Sequence, residues 1–272
     1  MIVSVVTPTF NAIDYLDQCI RSVQAQASER VTVEHIVIDG GSTDGSVELA
    51  RSLGATVMEG KDDGAFDAAH KATVASSGEL VGYLGADDLL LPGALDAVVE
   101  RYEQERRPWL VGGFRWIDGN GKSLGDIAPP PRWMTGRMMA SLGWCCINHM
   151  ATYVTREFYD RLGGFDRSYR YAGDYDFFCK ALDTAPWSAV PRTVACFRRH
   201  GGNLTMSLSP RQIEEGRQVE ERYASPSARV RMVERQMLRF YLNGRNPTWA
   251  LRKQLDNLRA ADPKTPADSP SH

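Results

Sequence analysis

The chain has 272 residues, a formal net charge of −2, 43% hydrophobic and 24% charged residues. This length supports one large domain or two small ones with ample core, in the proportions of an ordinary globular protein. The near-neutral balance gives no electrostatic ground for nucleic-acid binding, and no apolar run approaches the length of a membrane span. In chain order, Met1–Thr7 is rich in β-branched residues and predicts a buried first strand, ended by Pro8. Ile13, Leu16, Ile20 and Val23 recur at helical spacing. His35–Asp39 predicts a second strand, and Ser42 or Thr43 is placed to cap a helix running through Arg51. Ala55–Met58 reads as a third strand, Ala65–Ser76 as a weak helix, Pro92–Glu105 as an amphipathic helix and Trp109–Gly113 as a strand. Strands and helices thus alternate at βαβ spacing, which predicts a doubly wound, largely parallel sheet in the first half.

The pattern then changes. Phe114–Asp118 and Lys122–Leu124 around Gly119-Asn120-Gly121 read as a hairpin. Asp126–Arg137, with three consecutive prolines, predicts an exposed, mobile loop. Asn148–Val154 reads as a strand, Arg156–Leu162 and Asp174–Asp183 as helices, and Trp187–Phe197 as a strand pair. Helical character runs from Ser209 nearly to Ala260, before a proline- and serine-rich tail expected to be disordered. The cysteines Cys19, Cys145, Cys146, Cys179 and Cys196 form no CxxC and read as reduced, mostly buried thiols of a cytoplasmic protein. Met1–Thr7 shows no basic leader or cleavage site, so no signal peptide is expected.

The stretch Val81–Asp88 (VGYLGADD) is the most informative. A short, mostly apolar strand stops at two adjacent carboxylates, Asp87 and Asp88. Ligands of open α/β sheets sit beyond the carboxyl ends of the strands. Two hard oxygen donors there suit Mg²⁺ or Mn²⁺ together with a phosphate, although one Asp could equally cap the next helix. Asp39 ends the second strand, and Asp62 and Asp63 follow the third. Such carboxylates at one sheet edge repel one another unless a cation or a donor-rich ligand fills the crevice.

Val6–Asn11 (VTPTFN), Ile36–Gly45 (IVIDGGSTDG), Asp62–Ala68 (DDGAFDA) and Leu84–Asp88 (LGADD) resemble, in order and spacing, the motifs of family-2 glycosyltransferases. Gly163–Asp166 (GGFD) and Ala172–Asp176 (AGDYD) resemble its acceptor-side motifs, so the likeness covers roughly residues 1–206. The resemblance implies a GT-A-type, Rossmann-like α/β fold: a mostly parallel central sheet flanked by helices, with C-terminal helices. It implies a nucleotide-sugar-binding half over 1–113, an acceptor half over 114–206 and a helical extension over 207–260, leaving a tail at 261–272. The activity implied is metal-dependent, inverting transfer of a hexosyl group from a nucleotide diphosphate sugar, most often a UDP-sugar. The setting would be polysaccharide or glycoconjugate synthesis.

By that resemblance Thr7, Pro8, Thr9 and Asn11 line the nucleotide pocket. Asp39 accepts from the base, Asp62 lies near base or ribose, and Asp67 near the sugar. Asp87 and Asp88 take the place of the family's DxD signature, but Gly85 stands where an acidic residue is usual. Asp88 is therefore the expected direct ligand of Mn²⁺ or Mg²⁺, with Asp87 a ribose or water-mediated partner and His200 a further metal ligand. Asp174 at a helix start is the candidate general base; read alone, it could be a helix cap. His149 and Tyr171 are candidate acceptor residues, and Asp176, pointing elsewhere on the helix, is either structural or bonded to the acceptor. Trp133, Trp144 and Tyr171 could stack on a sugar or belong to the core, and Arg198-Arg199 could reach a diphosphate or face solvent.

Arg229–Arg259 interleaves many arginines with Met232, Met237, Phe240 and Trp249. This reads either as a surface docking on anionic lipid at the inner face of a membrane, near a lipid-linked acceptor, or as a packed helical pair with a solvated basic face. Two other functions stay open. A nucleotidyltransferase would carry a Gly-rich basic loop after the first strand, where this chain has Thr7–Asn11. A nucleotide-sugar-binding protein without catalysis is kept open by Gly85.

Overall fold

The computed structural model describes residues 1–203 and 209–251. The expected helix end at Ala260, the tail at 261–272 and Arg252, Lys253, Asp256 and Arg259 lie outside these residues. Strand β1 (Ile2–Thr9) is valine-rich and buried from Val3 to Thr7. Helix α1 (Ile13–Gln24) buries Leu16, Cys19, Ile20 and Val23, the apolar positions of its helical period. β2 (Thr32–Asp39), α2 (Ser46–Ser52), β3 (Thr56–Glu59), α3 (Ala65–Ala75) and β4 (Leu80–Tyr83) follow. β1 pairs in parallel with both β2 and β4, and β2 with β3. The chain therefore crosses back over β1 between β3 and β4. A crevice opens beyond the strand ends at this reversal of order.

Next come β5 (Leu89–Leu90), α4 (Ala94–Glu105), β6 (Trp109–Asp118), β7 (Ser123–Ile127), α5 (Gly136–Leu142), β8 (Thr152–Thr155), α6 (Arg156–Leu162), α7 (Gly173–Thr184) and β9 (Ser188–Arg199). Helices α8 (Pro210–Tyr223) and α9 (Ala228–Arg245) close the described chain. The sheet order is β3-β2-β1-β4-β8-β6-β9-β5, with β7 hairpinned onto β6. β8 inserts antiparallel between β4 and β6. β9 runs parallel to β6, whereas β7 and β5 pair antiparallel with β6 and β9. The sheet is thus parallel over its first four strands and mixed beyond them.

Several local expectations change. Trp109–Gly113 and Phe114–Asp118 are one strand, so the expected boundary after residue 113 falls inside β6. The expected strand pair at 187–197 is the single strand β9, whose register against β6 shifts around exposed Pro191, which has no N–H for the ladder. The loop expected to be exposed is anchored: Pro130, Pro131 and Met134 are buried, and α5 starts at Thr135, whose Oγ1 accepts from Met138 N. α5 has no amphipathic period to read, because nearly all of it is buried. Ser42 and Thr43 do not cap α2, whose N-cap is Gly45.

The described residues form three apolar clusters, of which one reaches from the sheet to the C-terminal helices. It joins Val6, Ile36 and Val81 to Trp109, Phe158 and Phe177, and to Val219, Leu238 and Leu242 of α8 and α9. The C-terminal helices are therefore part of the same core as the sheet.

Candidate active site

One cleft of about 2220 Å³ lies at the C-terminal edge of β1, β2 and β4. Its first wall is built by two loops that bond to each other. Asn11 adopts a left-handed φ of 48°. Its N–H donates to Ser42 Oγ (2.8 Å) and its Oδ1 accepts from Thr43 N (3.0 Å). Asp44 Oδ2 accepts from Ile13 N (3.0 Å) and Ser46 Oγ from Ala12 N (3.1 Å), so the second loop caps α1. Each loop thus satisfies polar groups of the other. Asp39 Oδ2 accepts from Gly41 N and Ser42 N, both at 2.8 Å. Its other oxygen is buried without a partner among the described residues.

The carboxylate pair forms the centre. Asp87 and Asp88 both line the cleft. Asp88 is buried and accepts from Arg198 N through Oδ1 (2.9 Å). Burial, with the negative charge of Asp87 beside it, raises its pKa well above the carboxylate range. A Cβ on Gly85 would lie 2.8 Å from Asp88 Oδ2 and 2.9 Å from Asp87 Oδ1. A side chain at 85 would therefore displace the two carboxylates from the positions they hold here. Arg198 is a buried strut. Its guanidinium donates to Asp87 O (2.8 Å), Gly119 O (3.0 Å) and Gln18 Oε1 (2.8 Å), and lies over the Tyr15 ring. It neither reaches into the cleft nor faces solvent, unlike both sequence readings.

His200 lines the cleft, but both ring nitrogens are engaged. Gly202 N donates to Nδ1 (3.2 Å), so the ring proton sits on Nε2 and is donated to Asp87 Oδ2 (2.9 Å). Asn203 Nδ2 donates to the same oxygen (2.7 Å). In this arrangement His200 orients Asp87. Among the described residues, no three His, Cys, Asp or Glu side chains gather into a metal-holding group. Asp88 with Asp87 Oδ1 still fits a cation that takes its other ligands from phosphate and water, as Mg²⁺ does. Such a cation would offset the charge that burial disfavours on Asp88.

The opposite wall carries Asp174, in the first turn of α7, where the helix dipole favours a negative charge. It is not the N-cap, which is Ala172. Its Oδ1 accepts from Tyr175 N (2.8 Å), and its Oδ2 pairs with His149 Nδ1 (3.2 Å). His149 in turn packs edge-on against Tyr83, with ring centroids 4.4 Å apart. Burial and the charges of Asp174, Asp88 and Asp87 push the Tyr83 phenol far up, so it remains a protonated donor. α7 approaches α3 closely because residue 173 is glycine: a Cβ there would meet the Phe66 ring at 2.6 Å.

The sequence reading missed Glu215. This buried residue of α8 accepts from Arg170 N (3.0 Å), Tyr171 N (2.6 Å) and Ala172 N (3.2 Å), the loop that leads into Asp174. Its only local signal is the Arg211 partner one turn earlier (2.8 Å), a pattern common on solvated helices.

Of the residues singled out, Pro8, Thr9, Asn11, Asp62, Asp87, Asp88, His149, Tyr171, Asp174 and His200 line the cleft, as does Trp144. Four others do not. Thr7 is buried and bonded to His35 Nε2 (3.0 Å). Asp39 lies just beneath the surface. Asp67 is taken up by Lys71 (2.6 Å), Arg167 (3.6 Å) and Asp63 N (3.2 Å). Asp176 is buried between Arg222 (2.7 Å) and Tyr223 Oη (3.1 Å), which ties α7 to α8. Trp133 packs edge-on against Tyr241.

The family model for glycosyl transferase family 2 matches residues 4–160. An uncharacterized glycosyltransferase of Mycobacterium tuberculosis is 29% identical over 186 residues, covering 66% of this chain and 68% of the relative. A PGL/p-HBAD biosynthesis glycosyltransferase of Mycobacterium bovis is 27% identical over 189 residues, covering 64% and 67%. The fold is that of Staphylococcus aureus TarS (residues 1–349), solved in complex with UDP-GlcNAc. The TM-score is 0.65 at 18% identity, covering 86% of this chain and 70% of that one.

Proposed function

The chain belongs to glycosyl transferase family 2, and from that premise we propose that it moves a sugar from a UDP-sugar to an acceptor hydroxyl, with inversion at the anomeric carbon. The observation that carries this reading is that Asp87 and Asp88 from one half and Asp174 from the other line a single cleft. A donor with its diphosphate at the carboxylate pair and its sugar toward Asp174 fits that arrangement. TarS, of the same fold, was solved with UDP-GlcNAc and with UDP, which supports a uridine nucleotide here. The unpartnered Asp39 oxygen suits a uracil N3–H; cytosine has no proton at that position.

Asp174 takes the proton of the acceptor hydroxyl as that oxygen attacks the anomeric carbon from the face opposite the leaving nucleoside diphosphate. One C–O bond forms as the other breaks, so configuration inverts. His149, bonded to Oδ2, holds the carboxylate toward the acceptor. Mn²⁺ or Mg²⁺ at Asp88 and Asp87 would neutralise charge gathering on the diphosphate. Arg198 supports the pair from beneath. The setting we propose is glycoconjugate or polysaccharide synthesis, in keeping with a relative that takes its name from PGL/p-HBAD biosynthesis.

Calorimetric titration of UDP, GDP and TDP, with and without Mn²⁺, tests the donor site in the wild type and in Asp88→Ala. Metal-dependent UDP binding that the substitution abolishes is the expected result. Absence of nucleoside diphosphate binding in every condition would overturn the reading.

A further inference from the structure

Helix α9 has two unlike sides. Glu234, Leu238 and Leu242 face inward, and Glu234 is paired with Arg137 (2.8 Å). On the outward side Met232, Val233, Met237 and Phe240 recur at helical spacing, a stripe that ordinarily packs against a partner element. Here they are 59%, 61%, 43% and 85% exposed. Isolated exposed apolar residues need no explanation, but a contiguous stripe along one helix does. The helix is basic: α9 carries five arginines and one carboxylate, the buried Glu234, with Arg229 within the stripe, Arg239 beside it and Arg245 at the exposed C-terminal end. Arg231 and Arg235 are tied to backbone carbonyls. Arg229, Arg239 and Arg245 are exposed and make no ion pair among the described residues.

We propose that this face of α9 docks on an anionic lipid bilayer, with the apolar stripe entering the headgroup boundary and the arginines meeting lipid phosphates. Charge decides the occupant. A second copy packed on the same stripe would bring arginines against arginines, with no exposed carboxylate on the helix to answer them. An anionic surface supplies the missing charge, and the combination of apolar stripe and exposed arginines is that of an interfacial helix. No helix of the described residues is long and apolar enough to cross a membrane, so the contact is peripheral. The same helix and its C-cap supply Arg239, Leu242, Asn243 and Asn246 to the wall of the cleft, so docking brings the cleft to the lipid surface. On the transferase reading, which this clause alone rests on, that suits a lipid-linked acceptor.

Co-sedimentation of the full chain with phosphatidylcholine vesicles, with and without phosphatidylglycerol, tests the proposal without reading sugar transfer. Binding should require phosphatidylglycerol and weaken in high salt. It should fall about tenfold or more in Met237→Ser/Phe240→Ser and in Arg229→Gln/Arg245→Gln. Circular dichroism confirms that both double variants fold. Absence of binding to anionic vesicles at low salt, or binding unchanged in both variants, would overturn the idea. A concentration-dependent dimer in light scattering that Met237→Ser/Phe240→Ser abolishes would overturn it in favour of a second copy.

Discussion

At position 85 a Cβ would stand 2.8 and 2.9 Å from carboxylate oxygens of Asp88 and Asp87, so any side chain there moves the central pair. Gly85→Asp, which restores the family's usual acidic residue, should therefore harm the site. A shift of the pair by an ångström should lower transfer about a hundredfold, measured as kcat/KM. Across the cleft, Asp174→Asn keeps the shape and removes the base, so kcat should fall roughly 10²–10⁴-fold while calorimetric UDP affinity holds. A third residue acts on stability. His35 is buried, its Nδ1 has no partner among the described residues, and burial lowers its pKa from 6.5 to about 4. The folded state thus favours the neutral ring, and between these values the unfolded chain binds more protons. The stability from neutral His35 is complete above the unfolded pKa and is lost as pH falls through the folded one. Thermal midpoints should drop from pH 7 toward pH 4.5, and His35→Gln should flatten that slope.

At the scale of elements, α8 acts as a brace for α7. Glu215 gathers three backbone N–H groups of the loop ahead of Asp174, and Asp176 takes Arg222 and Tyr223 from the far end of α8. Glu215→Gln retains the size and loses the charge, weakening hydrogen bonds that a carboxylate makes strong. It should cost about 1–3 kcal/mol in denaturant unfolding. If the brace positions Asp174, kcat should fall with donor KM unchanged; a purely structural role would lower stability alone.

For the whole molecule, the main core includes Val219, Leu238 and Leu242, which lie beyond residues 4–160. A chain ended at residue 207 would expose the faces of α5 and α7 that these helices cover. It should lose its cooperative thermal transition, followed by circular dichroism. The cleft depends on the same continuity, because its two walls belong to one core and are not joined by a linker.

The order of elements through β4, the helices α4 and Arg156–Leu162 and the glycine turns were legible because they rest on local periodicity and backbone preference; the short strand β5, held by distant β9, was not. So was the gathering of Asp62, Asp87 and Asp88 at one sheet edge, since a parallel sheet places successive strand ends together. Tertiary structure alone decided what those local signals do not contain. β8 enters antiparallel between β4 and β6 because a strand's neighbours are chosen by long-range packing. α5 has no polar face to mark it, since all of it but Arg137 is buried. Whether a carboxylate opens into a cleft or is held inside depends on partners far along the chain, such as Arg222 for Asp176. Glu215 reaches its loop across more than 40 residues (|i−j| 43 to 45). The sequence of this protein determined which residues stand at the strand ends; only the packing of distant segments decided which of them keep a free oxygen for a ligand.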